Sequence, residues 1–296
     1  MAQPPRGILA ESGNPILSSL SVGKVTLQRF TSQMTSHTHC GLAALLALSA
    51  TPASAVVLFT DNFTVDANVN NPNYQSTLGR QGGTLATLNY IERIAGPGSQ
   101  EQVGNAATFP GNSNALLAAF GGAVRIDYNF ATIPQPIEIR FDGIVSNGAS
   151  GDATNWISVN IGRTDQDNFV TTGEFGILFR ANGGTQYFDH SGSGITGVSG
   201  TNIGFNTFTD YRIVLSDTAG TGSAFAGNGS VVTYYQGGNL LGTINIGQLS
   251  NTAGYIGLGA TSIGGFDNLQ ISTVPEPSVC GIAGLVVLVA LRRRRR

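Results

Sequence analysis

In four stretches of this chain apolar and polar residues take turns. AVRIDYNF sets Val124, Ile126, Tyr128 and Phe130 on one face and Arg125, Asp127 and Asn129 on the other. PIEIRFDG sets Ile137, Ile139 and Phe141 against Glu138, Arg140 and Asp142, NWISVNIGR aligns Ile157, Val159 and Ile161, and DYRIVLSD aligns Tyr211, Ile213 and Leu215. A period of two predicts strands with one buried and one wetted face, as in antiparallel sheets packed on a shared core. Between them, SNGASGD, RANGGTQ and YYQGGNLLG carry the residues that accept the positive φ angles of tight turns. The last of these predicts a hairpin joining residues 231–235 to 240–244. Helical periodicity is hard to find from Val56 to Thr273, and no short regular repeat suggests a β-helix. About a dozen strands in that span predict an all-β fold, a two-sheet antiparallel β-sandwich.

The two ends break the pattern. From Met34, MTSHTHCGLAALLALSATPASA has a short polar start, an apolar run and a small-x-small site at Ala53-Ser54-Ala55, the layout of a signal peptide with its helix at 34–55. Residues 1–33 are then an extension ahead of the true start. No Lys or Arg lies between Met34 and Gly41; a start at Met1 brings in Lys24 and Arg29 but overshoots the usual length of about 30 residues. A buried N-terminal helix is the alternative. Cys40 precedes the apolar run, which argues against a lipoprotein anchor.

At the other end, Pro275, Glu276 and Pro277 precede Ser278 to Leu291, 14 residues without a charge, and then Arg292, Arg293, Arg294, Arg295 and Arg296. As a helix the run reaches about 21 Å, short of a bilayer core of about 30 Å. The prolines and the glutamate prevent extension upstream. A short transmembrane helix with its arginines on the cytoplasmic side suits a temporary stop better than a permanent anchor.

The length and the 41 glycines fit one large β domain over 56–273, followed by a tail at 274–296. Both cysteines, Cys40 and Cys280, lie in the terminal segments, so no disulfide staples the body. Residues 56–273 hold seven arginines, no lysine and fifteen carboxylates, a net charge of −8. That excludes a nucleic-acid-binding body.

The order of the tail, Pro275-Glu276-Pro277, apolar run, terminal arginines, resembles the PEP-CTERM sorting signal of Gram-negative bacteria. The resemblance implies export through the Sec translocon, transient insertion in the inner membrane, and recognition by an exosortase, a membrane cysteine protease that removes the tail, in cells that usually make exopolysaccharide. Pro275, Glu276 and Pro277 carry over as the recognition motif and confer no catalytic role. The body resembles the concanavalin-like or laminin-G-like jelly roll in its opening Phe59-Thr60-Asp61-Asn62-Phe63, its FTDYRIVLSD strand, its hairpin ending LLGTI and its closing GFDNLQI. In such folds the first and last strands lie close together.

Chemistry is sparse. His190 is the one histidine of the body, G-x-S-x-G is absent, and thiol and amine nucleophiles are missing. In Asp189-His190-Ser191 neighbouring residues point to opposite faces of a strand, so no relay follows from adjacency, and His190 is expected in a loop or at a strand end. GSGITG (192–197) matches G-x-G-x-x-G without the helix that gives the motif its meaning, and is expected as a flexible loop. Glu92, Glu101, Glu138 and Glu174 stand isolated, without the compact acidic run of jelly-roll glycosidases. Asp165, Asp167 and Asn168 are weak candidates for Ca²⁺; no other metal or cofactor is expected. Trp156 is expected in packing rather than stacked on a sugar. The expectation is an exported envelope or extracellular-matrix protein with a non-catalytic adhesive, structural or glycan-binding sandwich, exopolysaccharide being the candidate ligand. The alternatives are a polysaccharide hydrolase or lyase with carboxylates from separated strands, and a permanently tail-anchored surface protein.

Overall fold

The computed structural model describes residues 54–63, 79–85, 87–93, 100–105, 114–119, 123–145, 154–162, 175–189, 194–199, 207–250, 252–261 and 263–275, all within the compact unit Leu46–Arg296. The N-terminal extension, the signal segment up to Ala53, and the tail from Glu276 to Arg296 lie outside the described residues. Among the described residues no helix is long and apolar enough to cross a membrane.

The chain folds into two antiparallel sheets. The larger runs in the order β14 (Asn239–Asn245), β13 (Ser230–Gln236), β12 (Thr209–Asp217), β7 (Ile137–Val145), β16 (Ile263–Thr273), β1 (Val57–Asp61) and β2 (Gln81–Gly82); β5 (Asn114–Ala119) also pairs with β16, and β4 (Gln100–Asn105) with β5. The smaller runs in the order β11 (Gly194–Ser199), β10 (Gly184–Asp189), β9 (Phe175–Arg180), β8 (Trp156–Ile161), β15 (Ile256–Ala260), β6 (Ala123–Ile126) and β3 (Tyr90–Arg93). The first strand pairs with the last, Thr60 opposite Gln270 and Asp61 opposite Leu269. The predicted hairpin is β13–β14, turned by Gly237 and Gly238 at φ 54° and 80°.

Alternation is realised where it was clearest. Strands β7, β12 and β13 bury Ile137, Ile139 and Phe141, Tyr211, Ile213 and Leu215, and Val232 and Tyr234, while the intervening residues keep solvent contact. Three expectations are corrected. AVRIDYNF is no single strand: β6 ends at Ile126 and Phe130 opens a 3-10 turn, Phe130–Thr132, because the Asn129 side chain accepts the Ala131 and Gly254 N–H groups and bends the chain. β8 does not keep the wetted face its alternation predicts: every residue of it is buried, as is every residue of β15 and all of β9 but Arg180. Residues 194–197 of GSGITG belong to strand β11, paired with β10, rather than to a loop. Their glycines read as turn formers in sequence, but the ladder with β10 overrides that weak local preference.

Between the sheets, Phe141, Phe179, Tyr211 and Phe266 form an aromatic cluster with centroids 4.4–6.3 Å apart. Burial pushes the Tyr211 hydroxyl up to about 12, and Gln236 Nε2 donates to its oxygen at 3.0 Å. Close approach of the sheets is set by glycine. A Cβ on Gly143 would stand 2.5 Å from Ile157 Cδ1, and one on Gly264 2.4 Å from Ile157 Cγ2, so Ile157 of the smaller sheet fills the space two missing side chains leave in the larger.

A second tie is polar. The buried Asp61 carboxylate takes Arg80 Nε at 2.8 Å, Tyr90 Oη and Gln81 Nε2 at 3.0 Å, and the Phe63 N–H at 2.9 Å. Burial raises its pKa, against the lowering by the Arg80 charge and these hydrogen bonds. Two tests follow. Gly143→Ala lowers stability by about 1–3 kcal/mol in urea unfolding, and adding Ile157→Val, which removes the clashing methyl, recovers part of that loss. Arg80→Met leaves Asp61 buried without its cation and costs about 3–5 kcal/mol by the same measurement.

Candidate functional site

The buried outward side of the smaller sheet is what the alternation pattern failed to foresee. There, strand register places Arg125, Gly257, Asn160, Gly176, Phe188 and Gly194 side by side across six strands. The next rung holds Ala123, Gly259, Ser158, Leu178, Gln186 and Thr196. Asn160 thus stands between two glycines on its rung. Asn160 Nδ2 donates to Ser158 Oγ at 3.2 Å, and Ser158 Oγ donates to the Gly259 carbonyl at 3.4 Å. Asn160 Oδ1 is buried, on a residue 1% exposed, and meets no hydrogen-bond donor among the described residues. An unmet buried acceptor costs about 1–3 kcal/mol, so its retention in the fold asks for a reason.

Half-buried groups flank this centre. The Arg125 guanidinium lies 4.2 Å from the Tyr255 ring centroid and pairs with Asp127 at 3.6 Å. On the far side Arg180 donates to Gln186, and burial lowers the Arg180 pKa. Trp156 is buried, as expected, but in a satellite cluster with Ala123 and Leu178, against which Phe188 packs, separate from the main core between the sheets. Flat rings, guanidinium groups and amides on one sheet face supply stacking surfaces with donors and acceptors.

Carboxylates gather on the outward side of the larger sheet. Asp210, Asp142 and Asp267 stand directly opposite one another on β12, β7 and β16. A bulge follows Asp267, where Asn268 takes φ 49° and donates Nδ2 to Asp142 Oδ2 at 2.8 Å, while its N–H donates to Asp267 Oδ1 at 2.7 Å. Burial, and then the Asp142 and Asp61 charges, push Asp267 up to about 6 against the lowering by the Asn268 N–H. Four residues back from Asp142 along β7, Glu138 is shared by Arg140 at 3.2 Å and by Arg212, which lies over Tyr235. Among the described residues no group of three His, Cys, Asp or Glu is placed to hold a metal ion.

Of the residues singled out in sequence, Asp165, Asp167, Asn168, His190, Glu276, Pro277, Ala53 and the five terminal arginines lie outside the described residues. Ala55 and Pro275 are exposed at the two borders of the domain, and Asp189 ends β10. Asn160 and Gln186 escaped notice because an isolated amide in a strand carries no motif. The signal was present in the glycines of IGLGA, which strip side chains from the rungs beside Asn160.

No known family's sequence profile matches the chain, and no curated protein does. Among solved structures it is similar to the receptor-binding domain of botulinum neurotoxin mosaic serotype C/D, with 14% identity and a TM-score of 0.43, over 78% of this chain and 50% of that one. It is also similar to the alginate lyase vAL-1 from Chlorella virus, with 11% identity and a TM-score of 0.43, over 68% of this chain and 97% of that one. A third is the carbohydrate binding module CBM66 from Bacillus subtilis, with 11% identity and a TM-score of 0.41, over 62% and 95%. The chain spans half the length of the first. The sandwich assignment stands on the strand pairing itself rather than on these likenesses.

Asp267 gives a pH test. Its folded value lies above the unfolded one, so the folded state holds the proton more tightly, and this stabilisation, complete below about pH 4, is lost as the pH rises through about 6. Asp267→Asn removes the dependence and raises stability at pH 7.5 by about 1 kcal/mol after allowance for solvent screening, with little change at pH 4. Denaturation midpoints at the two pH values measure it.

Proposed function

We propose that this chain is an exported, non-catalytic glycan-binding protein, carried to the cell envelope or extracellular matrix by an N-terminal signal peptide and a C-terminal PEP-CTERM segment that an exosortase removes. The observation that carries the binding half is Asn160: a buried amide whose carbonyl meets no donor among the described residues, set between glycines on a sheet face flanked by Tyr255, Arg125, Phe188 and Gln186. A sugar presents hydroxyl donors that could meet the carbonyl and an apolar ring surface that could meet the aromatic groups. The export half is supported by the order of the terminal segments and by Pro275-Glu276-Pro277.

Incubation of the purified protein with the producing cell's own exopolysaccharide tests the reading. Retention without new reducing ends or unsaturated ends is expected; release of either makes the protein a hydrolase or a lyase. Asn160→Ala and Tyr255→Ala each weaken retention by about tenfold, the loss of one hydrogen bond or one stacking surface. The Asn160→Ala unfolding free energy in urea stays within about 1 kcal/mol of the parent, since the lost bond to Ser158 is offset by removal of an unmet acceptor. Mass spectrometry of the mature C-terminus examines the tail: Arg296 on the exported form contradicts its removal.

A further inference from the structure

Both borders of the sandwich meet at one end of the larger sheet. The Val56 N–H donates to Thr273 Oγ1 at 3.0 Å, the Thr273 N–H to the Val56 carbonyl at 2.9 Å, and the Val274 N–H to the Pro136 carbonyl at 2.8 Å. The starts of β1, β7 and β13 and the ends of β12, β14 and β16 all lie here. The described connections of this sheet at that end are residues 54–56, 83–85, 133–136, 218–229, 246–250 and 274–275, and they contain no Asp, Glu, Lys, Arg or His. Val56 and Val57, 44% and 37% exposed, are among them or directly next to them. The nearest charges are spoken for. Asp217 is buried, its Oδ1 accepting the Thr221 and Gly222 N–H groups at 3.0 Å, and Glu138, one rung inward, is held by Arg140 and Arg212. Asp127, on the smaller sheet, pairs with Arg125. On a body with a net charge of −8, an end of this kind is an exception.

We infer that this uncharged end of the larger sheet rests on a lipid surface, held there by the protein's own C-terminal apolar run. The inference builds on the reading of that run as a membrane-inserted sorting segment. Its geometry comes from the tether: four residue steps separate Val274, bonded to Pro136, from Ser278, where the apolar run starts, a reach of no more than about 14 Å fully extended. A sandwich so tied must present the end from which the tether leaves. Carboxylates on the loops there would meet the repulsion of anionic headgroups, and the described loops at that end carry none; Glu276 lies beyond them, in the tether itself. The Asp210–Asp142–Asp267 row lies toward the opposite end, which this orientation turns away from the bilayer.

The test uses the full chain with Cys40 and Cys280 changed to serine, reconstituted in vesicles of phosphatidylethanolamine and phosphatidylglycerol. A fluorophore is attached through Asn228→Cys, in the uncharged loop, or through Asn239→Cys, at the far end of β13–β14, roughly 20 Å away. Flotation first reports whether the chain is membrane-inserted. With a quencher on the lipid headgroups, the label at 228 is expected to be quenched several-fold more strongly than the label at 239. Floating protein with equal quenching at both positions, or stronger quenching at 239, overturns the orientation while leaving the tail reading intact. Failure to float overturns both.

Discussion

The Asp61 carboxylate joins the two halves of the molecule. It sits on β1 of the larger sheet, beside Gln81 of β2, and receives the Tyr90 hydroxyl from β3 of the smaller. With Arg80 essentially without solvent exposure, a full ion pair is sealed in the seam between sheets. Such a pair gains little net energy over apolar packing, yet it tolerates few other arrangements, since a misplaced partner leaves a bare charge in the core. With no cysteine in the body, β1 is held by this pair, by its ladder to β16 and by the aromatic contacts of Phe59 and Phe63 with Tyr90.

The rest of the core is apolar and depends on how closely the sheets approach. Ile157 seated over Gly143 and Gly264 fixes that separation at one point, and the Phe141–Tyr211–Phe179 cluster fills the space beside it. A single interior then supports two outward faces of different character. The larger sheet shows solvent paired charges and an aspartate row, whereas the smaller one buries amides and rings on its outward side.

That difference governs how much of the fold could be read from sequence. β7, β12 and β13 were legible because water lies on one side of each, and water enforces alternation. β8, β9 and β15 lose the pattern on their second face, where Trp156, Ser158, Asn160 and Leu178 are buried along with their inward neighbours. The glycines of β11 signal a loop locally, while the ladder to β10 is a nonlocal fact. Asp61 stood in a recognised opening stretch, but nothing in FTDNF names Arg80 or Tyr90 as partners. Asn160 matters through what its neighbours across the ladder lack, and an absence distributed over β15 and β9 has no signature in linear order.

The hydrogen-bonded meeting of Val56 and Thr273 has a bearing on connectivity. Because the two borders already touch, the covalent order of strands is not what holds the architecture together; a few residues linking Thr273 to Val56 would span the gap. Fresh termini opened between Gly237 and Gly238, both exposed in a turn, would leave every sheet ladder intact. The strand pairing thus leaves the chain's order free to be rewound about the Val56–Thr273 contact, and a circularly permuted chain is expected to keep the same ladders.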